Sequence, residues 1–456
     1  MCDSVSKRYA TLPVATYLCL SRSGGAPCAA GRHNRNNPTR FEVHLSRRTN
    51  TVSTLTVQHI RRQEQLGPVT PAWLALAGGV PFREPSWLVT WWEVYGNAGL
   101  GEFGSRELCV LVVRDQAEIV GIAPWYVDPS PLGGRVIKQL GSGEVCTDYQ
   151  TVLVAPGREQ AVAAAVAQFL LGDMHGDWDR LDLDGVVVGD AALASLVENL
   201  EAGDAAVERR AGPSCWRLAL PSTFDDYLAL CSKSHRKQLR RLERDVLATP
   251  QARWHTVDTL EDFVEAWPIF VDLHQRRRRS LGEPGCFRSR RFTAFHERVA
   301  VSLLVRGALR LHWLEYEGRP LAAEYHIGAG RSVFAYQSGV DPERLDLEPG
   351  RLAGIAVIGQ AIREGFKMYD LLRGDEPYKA HWRAVPTATE QISVVNPRRT
   401  SRARHAVHNF LRRAKHAVLG GPEFPQPANP TLAPGNSPGA NDAERSKTPT
   451  LEAAHG

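Results

Sequence analysis

Several features that would restrict the function are missing from this sequence. Its 456 residues contain no apolar run near the roughly 20 residues that a membrane-spanning helix needs, so no such helix is predicted. The eight cysteines show no Cys-x-x-Cys spacing, and the 15 histidines form no cluster with zinc spacing. The sequence therefore predicts reduced cysteines, a cytoplasmic protein and no metal site.

Acidic residues are scarce at the amino-terminal end. After Asp3 none occurs until Glu42, while Arg, Ser, Asn and Gly are frequent. We interpret residues 1–65 as a disordered tail or an over-long start; a weakly apolar stretch at 9–20 keeps a targeting peptide open as the alternative. Residues 420–456 are rich in Pro, Asn, Ala and Gly, and are predicted to be disordered as well.

The bulk composition is that of an ordinary globular protein, with 43% hydrophobic and 23% charged residues. The length is sufficient for two or three domains. The net charge of +5 is small for this length and does not indicate a nucleic-acid-binding protein.

Two parts of the chain repeat the same order of predicted elements. A strand hairpin that starts at Leu108 recurs at Leu309, and a strand that starts at Trp178 recurs at Tyr369. The two hairpins and the two strands are offset from each other by similar numbers of residues. We therefore infer an internal duplication of one α/β unit.

The later copy contains a helix start with anion-binding character. A polar loop leads into Pro349, Gly350 and Arg351, and an amphipathic helix follows. A helix N-terminus offers unpaired N–H groups and partial positive charge, Gly350 permits close approach, and Arg351 adds a fork of donors. A phosphate site and a plain helix start both fit this pattern.

Four ordered motifs carry a resemblance to a known family. They are Gly141–Cys146 followed by Asp148 and Tyr149, then Ser232–Lys237, Pro349–Leu352 and Leu372–Trp382. Together with the order of strands and helix in the later copy, they resemble the CelD-type branch, associated with cellulose biosynthesis, of the GNAT N-acetyltransferase superfamily. The resemblance covers residues 81 to about 395, and the tandem arrangement is similar to that of Fem-type transferases.

The resemblance and the internal repeat imply an α/β fold with two tandem GNAT-like units, in which mixed, mostly antiparallel sheets are flanked by helices. The first, degenerate unit is predicted at 66–221 and the second at 222–400. A basic amphipathic helix is predicted at 401–419, between the second unit and the disordered carboxyl-terminal tail. The first unit lacks a Pro-Gly-Arg run, so an acyl-CoA site is expected in the second unit alone.

The resemblance implies transfer of an acyl group from acetyl-CoA or another acyl-CoA to an amine or hydroxyl group. The predicted donor-binding residues are Pro349, Gly350, Arg351, Leu352 and Lys379. Glu324 is the candidate general base, with His326 on the same strand face as the alternate. Tyr378 is expected to protonate the leaving thiolate, and Asp375 completes the predicted catalytic set.

The acceptor site is predicted from polar residues near strand ends. These residues are Glu144, Asp148, Tyr149, His235, Tyr336 and Glu376. Carboxylates such as Glu376 suit an acceptor ammonium group, and loops at strand ends often form binding sites. A small molecule or a saccharide is therefore the expected acceptor.

Two other functions stay open at this point. In a Fem-like transferase that uses aminoacyl-tRNA, the basic runs at 236–244 and 276–279 would bind the nucleic acid. A non-catalytic scaffold in polysaccharide biosynthesis or export is the other alternative. Nucleic acid is not the favoured partner, because no aromatic residues interleave with the charges of the first run.

The helix predicted near the carboxyl-terminal end has two interpretations. In the first, Val407, Phe410, Leu411, Ala414 and Val418 face inward and pack on the domain. In the second, residues 402–419 contact an anionic membrane surface.

Overall fold

The computed structural model describes residues 55–96 and 104–419, and every structural statement below concerns these residues. Of the tails predicted at 1–65 and 420–456, residues 1–54 and 420–456 lie outside the described residues. The strands are β1 (Thr56–Ile60), β2 (Glu107–Asp115), β3 (Glu118–Ser130), β4 (Gly134–Gln139), β5 (Leu153–Val154), β6 (Arg180–Val187), β7 (Ala206–Ala211), β8 (Cys215–Ala219), β9 (Ala252–Thr256), β10 (Leu309–Tyr316), β11 (Arg319–Ala329), β12 (Ser332–Val340), β13 (Met368–Arg373), β14 (Val385–Thr387) and β15 (Thr389–Val395).

The α-helices are α1 (Thr70–Leu76), α2 (Pro85–Tyr95), α3 (Glu159–Leu171), α4 (Ala191–Ala202), α5 (Phe224–Leu230), α6 (Lys233–Leu242), α7 (Leu260–Ser280), α8 (Arg290–Val305), α9 (Pro349–Arg363), α10 (Tyr378–His381) and α11 (Arg399–Leu419). Short 3₁₀ segments occupy Gln63–Gln65, Gly67–Val69, Pro81–Arg83, Cys286–Arg288 and Leu345–Leu347, and a π-helical turn occupies Glu243–Leu247.

The strands form two mixed sheets. The first has the order β1-β2-β3-β4-β6-β15-β7 with β5 beside β3, and the second has the order β14-β8-β13-β12-β11-β10-β9. Neighbouring strands are antiparallel except for the pairs β4–β6 and β12–β13, which are parallel. Each sheet thus contains a run of antiparallel strands followed by one parallel neighbour, which confirms the predicted α/β fold with two tandem units.

The two sheets exchange strands between the predicted units. Cys215–Ala219 lies in the second sheet although it precedes residue 222, and Thr389–Val395 lies in the first sheet between β6 and β7. The domain bounds therefore remain predictions and do not coincide with the sheets. The tail predicted to extend to residue 65 is too long, because Thr56–Ile60 pairs with β2 as an edge strand.

Three groups of buried side chains hold the helices on the sheets. Helices α3 and α4 cover one face of the first sheet, and α5, α6 and α9 cover one face of the second. Between the two sheets, α2, α7 and α8 bury a continuous aromatic cluster that includes Trp87, Phe295 and Tyr325. This shared cluster joins the two units through apolar contacts, which stabilise in proportion to the area removed from water.

The carboxyl-terminal helix α11 differs from its first interpretation. Val407 and Phe410 are 53% and 69% exposed, so the apolar side of the helix does not pack on the domain. The prediction of inward-facing residues is therefore wrong for these positions and for Leu411, which is also exposed. Among the described residues, no helix is long and apolar enough to cross a membrane.

Candidate active site

The site begins where a parallel strand pair separates. Strands β12 and β13 pair only from Ser332 to Phe334 and from Met368 to Asp370. Beyond these residues the two strands diverge, and a cavity of about 1100 Å³ opens between them and the start of α9. This volume is slightly above the range of about 300–1,000 Å³ typical of ligand pockets, so the cavity can hold a ligand as large as a coenzyme.

The N-terminal end of α9 opens into this cavity. The helix begins at Pro349, and no side chain caps its first turn. A Cβ atom built on Gly350 would meet no other atom within 4 Å, so open space lies beside this residue. Pro349 has no N–H, and the amides of Arg351 and Leu352 donate to Glu348 O at 2.9 and 3.1 Å, so among the described first-turn amides the Gly350 N–H is the donor left for a phosphate group.

Arg351 is not free in this structure, contrary to its predicted role. Its guanidinium contacts the carboxylate of Glu348, which also accepts hydrogen bonds from Gln238 Nε2 at 2.7 Å and Arg241 Nη2 at 2.8 Å. Glu348 has a left-handed backbone conformation with φ of 56° and precedes the helix. The carboxylate therefore ties α6 to the start of α9 and holds Arg351 beside the cavity.

A carboxylate and an imidazole meet on the central strand of the second sheet. Glu324 and His326 share one face of β11, as the alternation predicts, and Glu324 Oε2 lies 3.0 Å from His326 Nε2. The Tyr369 hydroxyl lies 3.4 Å from the same nitrogen. Both Glu324 and His326 are buried and line the cavity, so the pair forms a proton-accepting centre at its floor.

Tyr378 lines the cavity with its side chain 53% exposed. Partial burial, together with the nearby carboxylates of Glu376 and Glu324, raises the pKa of its hydroxyl above the ordinary value. The phenol therefore keeps its proton at neutral pH and can act as a proton donor.

Two predicted residues have structural positions instead of direct roles. Leu352 is fully buried in the core beneath α9. The Asp375 carboxylate lies outside the cavity and accepts hydrogen bonds from Trp216 Nε1 at 3.1 Å and Ser214 N at 3.3 Å. Their predicted roles in donor binding and catalysis are therefore corrected.

Lys379 lines the cavity, but its ammonium group is already satisfied. Its Nζ donates to the carbonyl oxygens of Leu372, Arg373 and Gly374 at 3.2, 2.9 and 3.0 Å and lies 3.0 Å from Glu376 Oε2. An ammonium group has three donors, so none is left for a phosphate. Lys379 thus stabilises the end of β13 and the loop that follows it. Leu372, at this strand end, has a left-handed conformation with φ of 55°.

The loop at 141–149 forms the wall opposite α9. Within it, Glu144 is oriented by two hydrogen bonds, because Tyr95 OH and Ser289 Oγ both donate to Oε1 at 2.7 Å. Oε2 has no such bond and Glu144 lines the cavity, so a pre-oriented carboxylate is available to a cationic acceptor group.

The other predicted acceptor residues of this loop join the two units. The Asp148 carboxylate is buried and pairs with Arg373, whose Nη1 also contacts Asp184 Oδ2 at 3.1 Å. The Tyr149 hydroxyl donates to Asp370 Oδ2 at 2.6 Å and does not reach the cavity. Both residues anchor the loop; Asp148 also lines the cavity, so its contact with the acceptor stays a prediction, whereas that of Tyr149 is corrected.

Two further predicted residues occupy defined places in the cavity wall. The Tyr336 hydroxyl donates to Val145 O at 2.7 Å, so its polar group supports the loop. His235 lies near Arg351; burial, and next the charge of this guanidinium, lower the pKa of the imidazole. His235 is therefore on the side of the helix start, where a donor would bind, and not on the side of the acceptor loop.

One cavity-lining set was not found by sequence reasoning. His274, Arg277, Arg278 and Leu281 follow helical spacing at the end of α7 and share the face that turns to the cavity. From the sequence, the basic run at 276–279 has a ligand only in the alternative function, where it would bind aminoacyl-tRNA, because cations near a helix C-terminus are favourable without a ligand. Arg277 and Arg278 differ from the neighbouring cations only in lying on the face of α7 that turns to the cavity, and that orientation depends on tertiary packing.

No group of His, Cys, Asp and Glu side chains within 55–96 and 104–419 has an arrangement that could hold a metal ion. The residues that line the cavity do fit a phosphate-bearing cofactor, since the start of α9 offers the Gly350 amide and open space.

Comparisons with known proteins agree with this architecture. Residues 233–380 match the family model described as an acetyltransferase (GNAT) domain. No match was found among curated proteins. The solved structure of FemX is similar to this chain, with 12% identity, a TM-score of 0.52, and coverage of 74% of this chain and 96% of that one.

Two further solved structures show lower scores. A tandem GNAT protein from the clavulanic acid biosynthesis pathway has 14% identity, a TM-score of 0.41, and coverage of 76% and 99% of the two chains. L-PGS from Bacillus licheniformis has 10% identity, a TM-score of 0.43, and coverage of 77% and 97%. Residues 233–380 thus match a GNAT-type acetyltransferase domain, and the fold of the chain is similar to that of FemX.

Proposed function

We propose that this protein transfers an acyl group from acyl-CoA to a neutral amine or a hydroxyl group of a small molecule or saccharide. The observation that carries the proposal is that the uncapped start of α9 and the Glu324–His326 pair open into one cavity. Acyl transfer from a coenzyme thioester needs an anion site and a base at opposite ends of one binding space.

The donor binds first along the gap between the separated strands. Its diphosphate accepts a hydrogen bond from the Gly350 amide at the start of α9, where open space allows the close approach and Arg351 and His235 lie beside it. The thioester end then reaches toward Glu324, between the diverging edges of β12 and β13. The backbone groups on these edges that lack strand partners can bond the amides of the coenzyme arm.

The reaction then requires one proton acceptor and one proton donor. Glu324, oriented by His326, takes a proton from the acceptor nitrogen or oxygen as this atom bonds to the thioester carbon. The carbon–sulfur bond breaks, and the thiolate takes the proton of the Tyr378 hydroxyl. Since Tyr378 is partly exposed, solvent returns its proton, and Glu324 releases its own proton to solvent after the product leaves.

The acceptor is placed opposite the donor by the loop at 141–149. Glu144 presents its free Oε2 to the acceptor's cationic or hydroxyl group, and Glu376 lines the same cavity. We also propose that the protein belongs to the CelD-type branch, that its acceptor is a polysaccharide precursor, and that it acts in the cytoplasm.

The proposal is tested by the release of CoA from acetyl-CoA in the presence of a pool of amines and amino sugars. Removing the base by Glu324→Gln should lower the rate about 10²–10⁴-fold while CoA binding stays unchanged, because a general base contributes about this factor. Glu198→Gln, on the exposed side of α4, is the matched control. An undiminished rate in Glu324→Gln would show that Glu324 is not the base. Transfer from aminoacyl-tRNA but not from acetyl-CoA would show that the donor is not an acyl-CoA.

A further inference from the structure

The carboxyl-terminal helix α11 docks on the protein through its polar side. His405 Nε2 and Asn409 Nδ2 both lie near Glu208 Oε1, at 2.9 and 3.1 Å. Ser401 Oγ donates to Asp179 Oδ1 at 2.6 Å. These contacts fix which side of the helix faces the domain, and they place the opposite side outward.

The outward side of α11 is a continuous apolar stripe. Ala403, Val407, Phe410 and Ala414 follow one another at helical spacing, and all four are exposed together with Leu411. Single exposed apolar residues are normal on a protein surface, but a contiguous stripe is typical of an interaction surface. The arrangement is the reverse of an ordinary surface helix, which buries its apolar side against its own domain.

The charge of the helix indicates the kind of partner. From 399 to 419 it contains no acidic residue. Arg402 and Arg404 pair with Asp204 and Asp179 of the domain, and the sequence of the helix adds the cations Arg399, Arg412, Arg413 and Lys415. An apolar stripe on a helix rich in Arg and Lys matches a surface that offers hydrocarbon and negative charge together. An anionic phospholipid bilayer offers both, since each Arg or Lys near its surface is attracted by the lipid charge.

We propose that α11 docks this protein on an anionic phospholipid surface. The helix lies in the plane of the bilayer, with Val407, Phe410 and Leu411 at the boundary between headgroups and acyl chains. Its polar side meanwhile keeps the contacts with Asp179 and Glu208 that hold the domain. This proposal does not depend on the acyl-transfer reaction.

The test is co-sedimentation of the full chain with vesicles of equimolar phosphatidylglycerol and phosphatidylcholine. We expect binding to these vesicles, none to pure phosphatidylcholine, and weakening as salt is raised. Phe410→Ser combined with Leu411→Ser should lower the bound fraction at least about tenfold, because these side chains supply much of the inserted apolar area. Both are exposed, so the folded domain should keep its unfolding temperature.

The matched control is Val188→Ser combined with Leu230→Ser, which removes two equally exposed apolar side chains elsewhere and should leave vesicle binding intact. Absence of binding to the anionic vesicles overturns the proposal, as does binding that the α11 variant does not reduce. A change of the free protein from dimer to monomer in the α11 variant would instead assign the stripe to a second copy of the chain.

Discussion

Tyr378 and Glu324 line one cavity but are suited to opposite proton transfers. The raised pKa of Tyr378 keeps a proton on its hydroxyl, while Glu324 Oε2 is held by the imidazole of His326. The two side chains therefore complement each other as donor and base.

The role of Tyr378 leads to a prediction at this scale. Tyr378→Phe keeps the ring and removes the proton, so CoA release should fall about 10²-fold with unchanged affinity for CoA. Steady-state rates and calorimetric CoA binding measure the two effects separately. Tyr316→Phe, which lies outside the cavity, is the control, and an unaltered rate in Tyr378→Phe would show that water protonates the thiolate.

Single residues also show where sequence reasoning ends. The alternation along β11 placed Glu324 and His326 on one face, and the structure keeps them there because period-two geometry is local. The role of Lys379 could not be read in the same way. Its ammonium group donates to three carbonyl oxygens at the end of β13 and in the loop after it. The path of the backbone there depends on the left-handed conformation of Leu372.

At the scale of elements, the loop at 141–149 is joined to the second unit through buried charges. Asp148 has almost no exposed side chain, and its partner Arg373 also binds Asp184 and Thr147 O. Breaking a buried pair by removing one partner leaves an uncompensated charge. The loop that carries Glu144 thus depends on Arg373.

Arg373→Met should therefore destabilise the protein by about 3–5 kcal/mol, as measured by urea unfolding. The double variant Asp148→Leu with Arg373→Met should recover part of this loss, because no carboxylate is then buried without a partner. A double variant as unstable as the sum of the two single variants would show that the pair does not act as a unit.

Sequence motifs located this loop without resolving its parts. The run Gly141–Tyr149 was assigned to the acceptor wall, and Glu144 does line the cavity. Asp148 and Tyr149 are polar as well, yet their side chains bond Arg373 and Asp370, which lie on a strand more than 200 positions later. Such pairings follow from packing between distant segments, which spacing along the chain does not report.

On the scale of the whole molecule, three buried histidines govern the response to acid. Burial lowers the pKa of His274 to about 4 and that of His312 to about 3, and it places the pKa of His296 well below its ordinary value of 6.5. Each therefore binds a proton more readily in the unfolded chain than in the folded one. Their contribution to stability is complete above pH 6.5 and is lost as the pH falls toward the folded values.

Between pH 6.5 and 5, the loss of unfolding free energy for each such histidine should steepen from about half of the limiting slope toward that limit, about 1.4 kcal/mol per pH unit. His296 is fully buried, and neither ring nitrogen has a hydrogen-bond partner. His296→Leu should thus reduce the acid slope by the share of one histidine, as measured by urea unfolding at several pH values. An unchanged slope would mean that His296 is already charged in the folded protein.

The exchange of strands between the sheets is the largest feature that the sequence did not predict. The internal repeat indicated two units, and each sheet does contain the repeated pattern of antiparallel strands and one parallel neighbour. The strands Cys215–Ala219 and Thr389–Val395 nevertheless cross between them. Periodicity identifies a strand but not its neighbour. The predicted boundary between residues 221 and 222 therefore separated β8 from the other strands of the second sheet.

The most direct measurement of the central claim is thermal unfolding with acetyl-CoA, on the native sequence, Gly350→Asp and Gly67→Asp. Both glycines have open space around them and ordinary backbone angles, so neither change should disturb the fold. At about 100 times its dissociation constant, acetyl-CoA should stabilise the native sequence and Gly67→Asp by roughly 2.7 kcal/mol. It should not stabilise Gly350→Asp, because a carboxylate then stands before the amides of α9. Equal stabilisation of all three proteins, or of none, would contradict a donor site at this helix start.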